Sequence, residues 1–254
     1  MPVGFVGHGS PMLAVDAVRG EEFAQWASTL PRRPRAILVI SAHWEQAPPT
    51  VSSTEVGTPL LYDFYGFPEP LYAFRHDAPP APDLAECVLE RLHAWRPHAS
   101  GRGLDHGAWT VLTHLDPGAK IPTLQLSMPR TASARELVSL GRALAPLREN
   151  DVWILGSGNI THNLRRLGVH GGEPESWAME FDAWVAEALS AGDVDRLCHP
   201  ERAPGWLLAH PTPEHYRPLL VALGAASADV TKVRFPITGF EFGNLSRRSV
   251  EFGG

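Results

Sequence analysis

The sequence predicts one α/β domain over residues 1–254, with a central mostly parallel or mixed sheet flanked by helices. Three observations predict it. Short runs free of charge, Val3-Gly4-Phe5-Val6, Ile37-Leu38-Val39-Ile40 and Val152-Trp153-Ile154-Leu155, read as strands buried on both faces, which belong to sheets covered by helices. Segments with apolar residues at helical spacing lie between the runs. Finally, 254 residues with 44% hydrophobic content are enough for one large core, and no internal repeat or domain boundary interrupts them.

The first run leads into Gly7-His8-Gly9-Ser10-Pro11, where the glycines let the backbone turn sharply and let another group approach closely. Phe23 and Trp26 predict a helix over 21–30, with Glu21 and Glu22 in a first turn that favours negative charge and Pro31 ending it. The second run ends in Ser41-Ala42-His43-Trp44-Glu45. Residues 48–82 have no sustained period but are dense in aromatics: Tyr62, Phe64, Tyr65, Phe67, Tyr72 and Phe74, punctuated by Pro59, Pro68 and Pro70. A loop of this kind is expected to be a packed flap or the wall of a site, and its aromatic density argues against a linker.

Residues 83–95 read as a helix capped by Asp83, with Leu84, Val88, Leu89 and Leu92 on one face. Leu104-Asp105-His106-Gly107-Ala108-Trp109 reads as a turn bearing a fourth histidine, continued by a short helix over 108–115. A strand over 121–128 tolerates Pro122 near its start, and an amphipathic helix over 133–150 opens on Ser133 as cap. The third buried run then delivers Gly156-Ser157-Gly158-Asn159-Ile160-Thr161-His162-Asn163. In a helix over 175–189, Trp177, Met179, Phe181 and Trp184 are expected to fill the core. Within His210-Pro211-Thr212-Pro213-Glu214-His215-Tyr216, Thr212 as N-cap and Pro213 as first helical residue put His215 in the first turn of a helix running through 219–223. Residues 230–235 and 249–252 read as edge strands joined through Gly239 and Gly243.

Composition narrows the function. A net charge of −6 without any basic run argues against nucleic-acid binding, which needs clustered Lys and Arg. No charged leader followed by a long apolar stretch opens the chain, so a cytoplasmic protein without a membrane span is expected. Cys87 and Cys198 have neither disulfide-framework nor CxxC spacing and read as ordinary buried or half-buried thiols.

Histidine is plentiful, and its placement matters more than its number. His8, His43 and His162 each follow a buried strand, and ligands of open α/β sheets sit at the carboxyl ends of strands. Converging neutral imidazoles suit zinc, iron, copper or nickel.

Together the five motifs around His8, His43, His106, His162 and His215 resemble, in order, those of the DODA-type (4,5-DOPA dioxygenase-like) branch of the LigB-like class III extradiol ring-cleavage dioxygenases. The likeness runs from residue 3 to about residue 252. It implies a non-haem Fe(II) enzyme that opens a catechol ring beside its two hydroxyls with both atoms of O2 entering the product. It further implies His8, His43 and His215 as metal ligands, His162 as the acid/base residue lying close to the metal, and His106 beside the substrate hydroxyl. Related proteins are also found with zinc, so Fe(II) is expected for activity while Zn(II) is an alternative occupant of the purified protein. The partners implied are a small catechol and O2; a homo-oligomer is compatible with the sequence.

The residue types suit that chemistry. Open positions on one side of iron let a catecholate bind through two oxygens while O2 takes another. Removing a hydroxyl proton near neutral pH is work for a histidine, here His162. His106, adjacent to Asp105, is suited to donate to developing negative charge. Glu214 and His215 are neighbours, so only one of them faces the metal; His215 is the choice made here. His210 is a candidate for supporting the site, whereas His76, His93, His98, His114, His170 and His199 read as surface or packing residues. Arg165 and Arg166 are placed to meet a substrate carboxylate, although solvated helix charges are the plainer reading. Two other functions compete: a zinc-dependent hydrolase, because three histidines and an open position also activate water, and a Memo-like non-enzymatic metal-binding protein. His106 and His162 favour catalysis, since a binding module needs no proton shuttle.

Overall fold

The computed structural model describes residues 1–169 and 171–254. The three charge-free runs become strands β1 (Val3–Gly7), β2 (Ala36–Ser41) and β4 (Val152–Gly158), every residue of each buried. With β3 (Thr123–Gln125), β5 (Val233–Ile237) and β6 (Ser249–Phe252) they form a six-stranded sheet in the order β3-β2-β4-β1-β6-β5. The first four strands are mutually parallel; β6 pairs antiparallel with β1, and β5 pairs antiparallel with β6, giving a mixed sheet.

Side chains alternate across the sheet, as the period of a strand requires. Val3, Phe5, Leu38, Ile40, Val152 and Ile154 face one core, which is closed by helices α2 (Pro82–Arg91), α4 (Ala134–Leu144), α5 (Ser176–Ser190) and α6 (Arg217–Ala226). Val6, Ile37, Val39, Trp153 and Leu155 face the other, closed by α1 (Ala17–Ser28) and α3 (His106–Leu115). Each fully buried aliphatic chain stabilises by roughly 1.5–3 kcal/mol, against about 0–1 kcal/mol for an exposed pair such as Arg35–Asp83, so the two cores hold the sheet.

Element boundaries differ from the sequence expectation where caps decide them. Helix α1 starts at Ala17 because the Asp16 carboxylate accepts the Arg19 amide proton, so Glu21 and Glu22 lie past its first turn, and it ends before Pro31. Asp83 sits inside the first turn of α2 rather than capping it, and that segment finishes as a 3-10 turn over His93–Trp95. Ser133 does cap α4, in a reciprocal capping box with Glu136, and a 3-10 turn replaces α-helix over Ala145–Asn150. The strand expected over 121–128 is shorter: β3 bends away, and Met128–Pro129 pairs in parallel with Glu45–Gln46 just beyond His43. In α5, Phe181 is buried and Trp177 and Trp184 pack on the core, but Met179 is 45% exposed and does not fill it. Cys87 is exposed and Cys198 buried. Among the described residues no helix is long and apolar enough to cross a membrane.

The aromatic loop is a wall. Tyr62, Phe64, Phe67 and Phe74 pack around buried Trp109 and Leu71, with Phe74 stacked on Trp109 at 5.4 Å and the Tyr62 hydroxyl donating to the Phe74 carbonyl. Tyr65, in contrast, is 92% exposed.

Candidate metal centre

Three adjacent parallel strands, β2, β4 and β1, end side by side. His8 follows β1 and His43 lies two residues past β2; the loop after β4 carries His162. The His8 amide donates to the Gly158 carbonyl at 3.0 Å, tying the first loop to the third. A fourth imidazole arrives from the other side of the chain. His215 ends a 3-10 turn, Pro213–His215, ahead of α6; Thr212 is extended there but gives no side-chain cap, its hydroxyl donating instead to Glu214. The turn lies directly on the end of β4: the Asn159 amide donates to the His215 carbonyl, and a Cβ on Gly158 would run into that carbonyl oxygen. Only glycine allows this approach.

His8, His43 and His215 each present a ring nitrogen within 4.8 Å of the others. Nε2 of His8 and Nε2 of His43 are 3.1 Å apart, and two nitrogens each about 2.1 Å from one ion would lie roughly 3–3.5 Å apart. The outer nitrogens show why the inner ones are available. Ser157 Oγ donates to the Gly107 carbonyl at 2.5 Å, so it accepts from His8 Nδ1 at 2.9 Å, and the His8 proton sits on Nδ1. Likewise His215 Nδ1 donates to Glu214 Oε1 at 2.9 Å, while its buried Nε2 has no hydrogen-bond partner. His43 Nδ1 faces Asp63 Oδ2 at 3.7 Å. Three imidazole nitrogens converging on one point, that of His215 buried without any partner, make a donor set that fits a divalent transition metal.

Burial keeps these rings neutral, as a ligand must be. It is the main cause pushing His8 and His215 well below the usual imidazole range, with neighbouring histidines adding to it, and it lowers His43 to about 4. The ring of His162 stacks on His215 with centroids 3.4 Å apart and planes 9° apart, and burial followed by His210 lowers it to about 3. It groups with Glu214 and His215 rather than with the triplet.

His106 stands at the first position of α3, not in a preceding turn, because Asp105 caps that helix by accepting the Ala108 amide proton. Its ring lies 3.9 Å from that of His43. The carboxylate on this histidine is not Asp105, which is held by Gln125, but Asp63 from the aromatic loop. Asp63 Oδ1 accepts from both the His106 backbone amide, at 3.1 Å, and Nδ1, at 2.8 Å. Burial would raise Asp63, but hydrogen bonds and charge from His106 and His43 hold it at about 2.

Neither Asp63 nor Ser157 is evident as a site residue in the sequence, the only local cue for Asp63 being its position between Tyr62 and Phe64. His210 supports the site without joining it: buried among Phe181, Trp206 and Tyr216, its Nε2 donates to the Ile160 carbonyl, while the His162 amide donates to the Ala209 carbonyl. The plainer reading of the arginines holds, Arg166 pairing with Glu175 and Arg165 being exposed. His114 binds the Leu13 carbonyl, His199 pairs with Glu201, His93 bonds the Glu90 carbonyl, His98 is exposed and His76 is buried. His170 lies outside the described residues.

The chain is similar to known proteins. Residues 8–253 match the family model described as the catalytic LigB subunit of aromatic ring-opening dioxygenase. The chain is 38% identical, over 98% of its length, to a 4,5-DOPA dioxygenase extradiol of Beta vulgaris, covering 95% of it. To the protein of the same description from Escherichia coli K12 it is 39% identical over its full length, covering 95% of that relative. A crystal structure of an uncharacterized protein from Escherichia coli K12 superposes with a TM-score of 0.85 at 36% identity, each chain covered completely.

Proposed function

The chain belongs to the LigB family of aromatic ring-opening dioxygenases and is an extradiol ring-opening enzyme; from that premise we propose that it cleaves a small catechol, DOPA or a similarly substituted one, with O2 and Fe(II). Residues 1–254 act as one catalytic domain. His8, His43 and His215 hold the metal. When bound, Fe(II) supplies the one-electron chemistry that lets O2 react with a catecholate, which redox-inert zinc does not.

The remaining steps belong to the chain's own groups. His162, its ring stacked on that of the ligand His215, takes a catechol hydroxyl proton and returns it later in the cycle. His106, with Nδ1 donating to Asp63, turns Nε2 toward the substrate. Phe64, edge-on to His106 at 5.6 Å, and the aromatic loop behind it exclude water from the ring-binding side. The hydrolase reading is the weaker one, because the two carboxylates grouped with the site's imidazoles among the described residues, Glu214 and Asp63, are both engaged by imidazole N–H groups. The observation that carries the proposal is the approach of the Nε2 atoms of His8 and His43 to 3.1 Å, beside the partnerless Nε2 of His215.

The test is anaerobic reconstitution with Fe(II), then addition of O2 and a panel of catechols. One O2 taken up per catechol, with a yellow ring-opened semialdehyde, is the expected result. No uptake with any catechol, alongside ester or amide hydrolysis by the zinc form, would replace the proposal with the hydrolase.

A further inference from the structure

Resting on that reading, we propose that Asp63 is a positioning residue for ring cleavage: carried by the aromatic loop, it sets which nitrogen of His106 faces the substrate. The loop is held firmly on each side of Asp63. The Leu61 amide donates to the Leu104 carbonyl at 2.8 Å, and the Trp109 indole donates to the Leu61 carbonyl at 3.0 Å. On the other side, Phe64 packs against both Trp109 and His106. Between these anchors the Asp63 carboxylate points at the first turn of α3.

A capping role would explain the bond from the His106 amide, but Asp105 already caps that helix through the Ala108 amide. The shorter contact, 2.8 Å, is to the imidazole. A carboxylate accepting from Nδ1 keeps the proton there and leaves the lone pair on Nε2, in a ring whose centroid lies 3.9 Å from that of the ligand His43. Oδ2 of the same carboxylate lies 3.7 Å from His43 Nδ1, beyond hydrogen-bond reach, so the hold of Asp63 is on His106. Thus one side chain, from the segment that walls the substrate, orients the imidazole beside the substrate.

Asp63→Asn and Asp63→Ala separate charge from shape. The amide keeps an acceptor oxygen and a similar volume, whereas alanine removes the acceptor and opens a small gap. In the Fe(II)-loaded protein at saturating metal, kcat is expected to fall about 10²-fold or more for Asp63→Ala, and less for Asp63→Asn, with KM within about threefold of wild type. Formate is expected to restore part of kcat to Asp63→Ala but not to Asp63→Asn. In metal-free protein carrying ¹⁵N-histidine, His106 is expected as the Nδ1–H tautomer in wild type and as mainly Nε2–H in Asp63→Ala. An unchanged kcat, a loss residing wholly in KM, or an unchanged His106 tautomer would overturn the proposal; Asp63→Asn decides it should the alanine variant fold poorly. If wild type opens no catechol, the functional reading fails, and the tautomer measurement still decides what Asp63 does.

Discussion

An imidazole gives one nitrogen to a metal only if the other keeps the proton, so each ligand needs a second partner. Ser157 supplies it for His8, and Glu214 does so for His215. That arrangement supports the choice of His215 over its neighbour Glu214, with the carboxylate acting through the imidazole. Glu214→Gln should therefore weaken metal binding roughly 10–100-fold without abolishing it, while His215→Ala should leave the purified protein nearly metal-free. Metal analysis after dialysis checks both, and an empty Glu214→Gln beside a loaded His215→Ala would make the carboxylate the ligand. The histidines were legible in the sequence because each adjoins a strand end or a Pro-Glu-His turn. Of their partners only Glu214, next to His215, lies in view; Asp63 meets His106 across 43 residues and Ser157 meets His8 across 149, separations that only folding closes.

At the scale of elements, β4 carries the site. It pairs with both β1 and β2, and its glycines admit the segment that starts α6: Gly156 lies under the Pro218 carbonyl and Gly158 under that of His215. Gly158→Ala should push the 213–215 turn outward, costing about 1–3 kcal/mol and lowering metal affinity in the same variant. A thermal melt and a metal titration read the two effects, and a variant with both unchanged would show that this contact is not what sets His215. Buried strands were readable because continuous apolar runs have few alternatives in a sheet covered on both faces. Helix starts were misjudged at α1 and α3, where Asp16 and Asp105 cap before the apolar pattern begins. Asp83 also has the residue type of a cap but lies one place inside its helix, after Pro82.

Across the whole molecule, the site gathers buried histidines that the fold keeps neutral, which links stability to pH. Burial lowers His43 to about 4, His162 to about 3 and His210 to about 4, against about 6.5 for a free imidazole. Between those limits the unfolded chain binds more protons than the folded one. Stability is therefore complete above about pH 6.5 and is lost as pH falls toward 4, with His210 alone contributing on the order of 3 kcal/mol. The thermal midpoint of metal-free protein should drop steadily through that window, and a flat profile would contradict the burial of these rings. Metal binding, which also needs neutral imidazoles, should weaken over the same range.

The central claim is that three imidazoles hold a metal while a fourth, stacked on one of them, moves the proton. Oxygen uptake by Fe(II)-loaded wild type and His162→Ala, each with its metal content measured, tests it most directly. The account predicts one O2 per catechol opened by wild type, and a His162→Ala protein that keeps its iron but turns over at least about 10²-fold more slowly. A His162→Ala variant that cleaves catechol at the wild-type rate would contradict it.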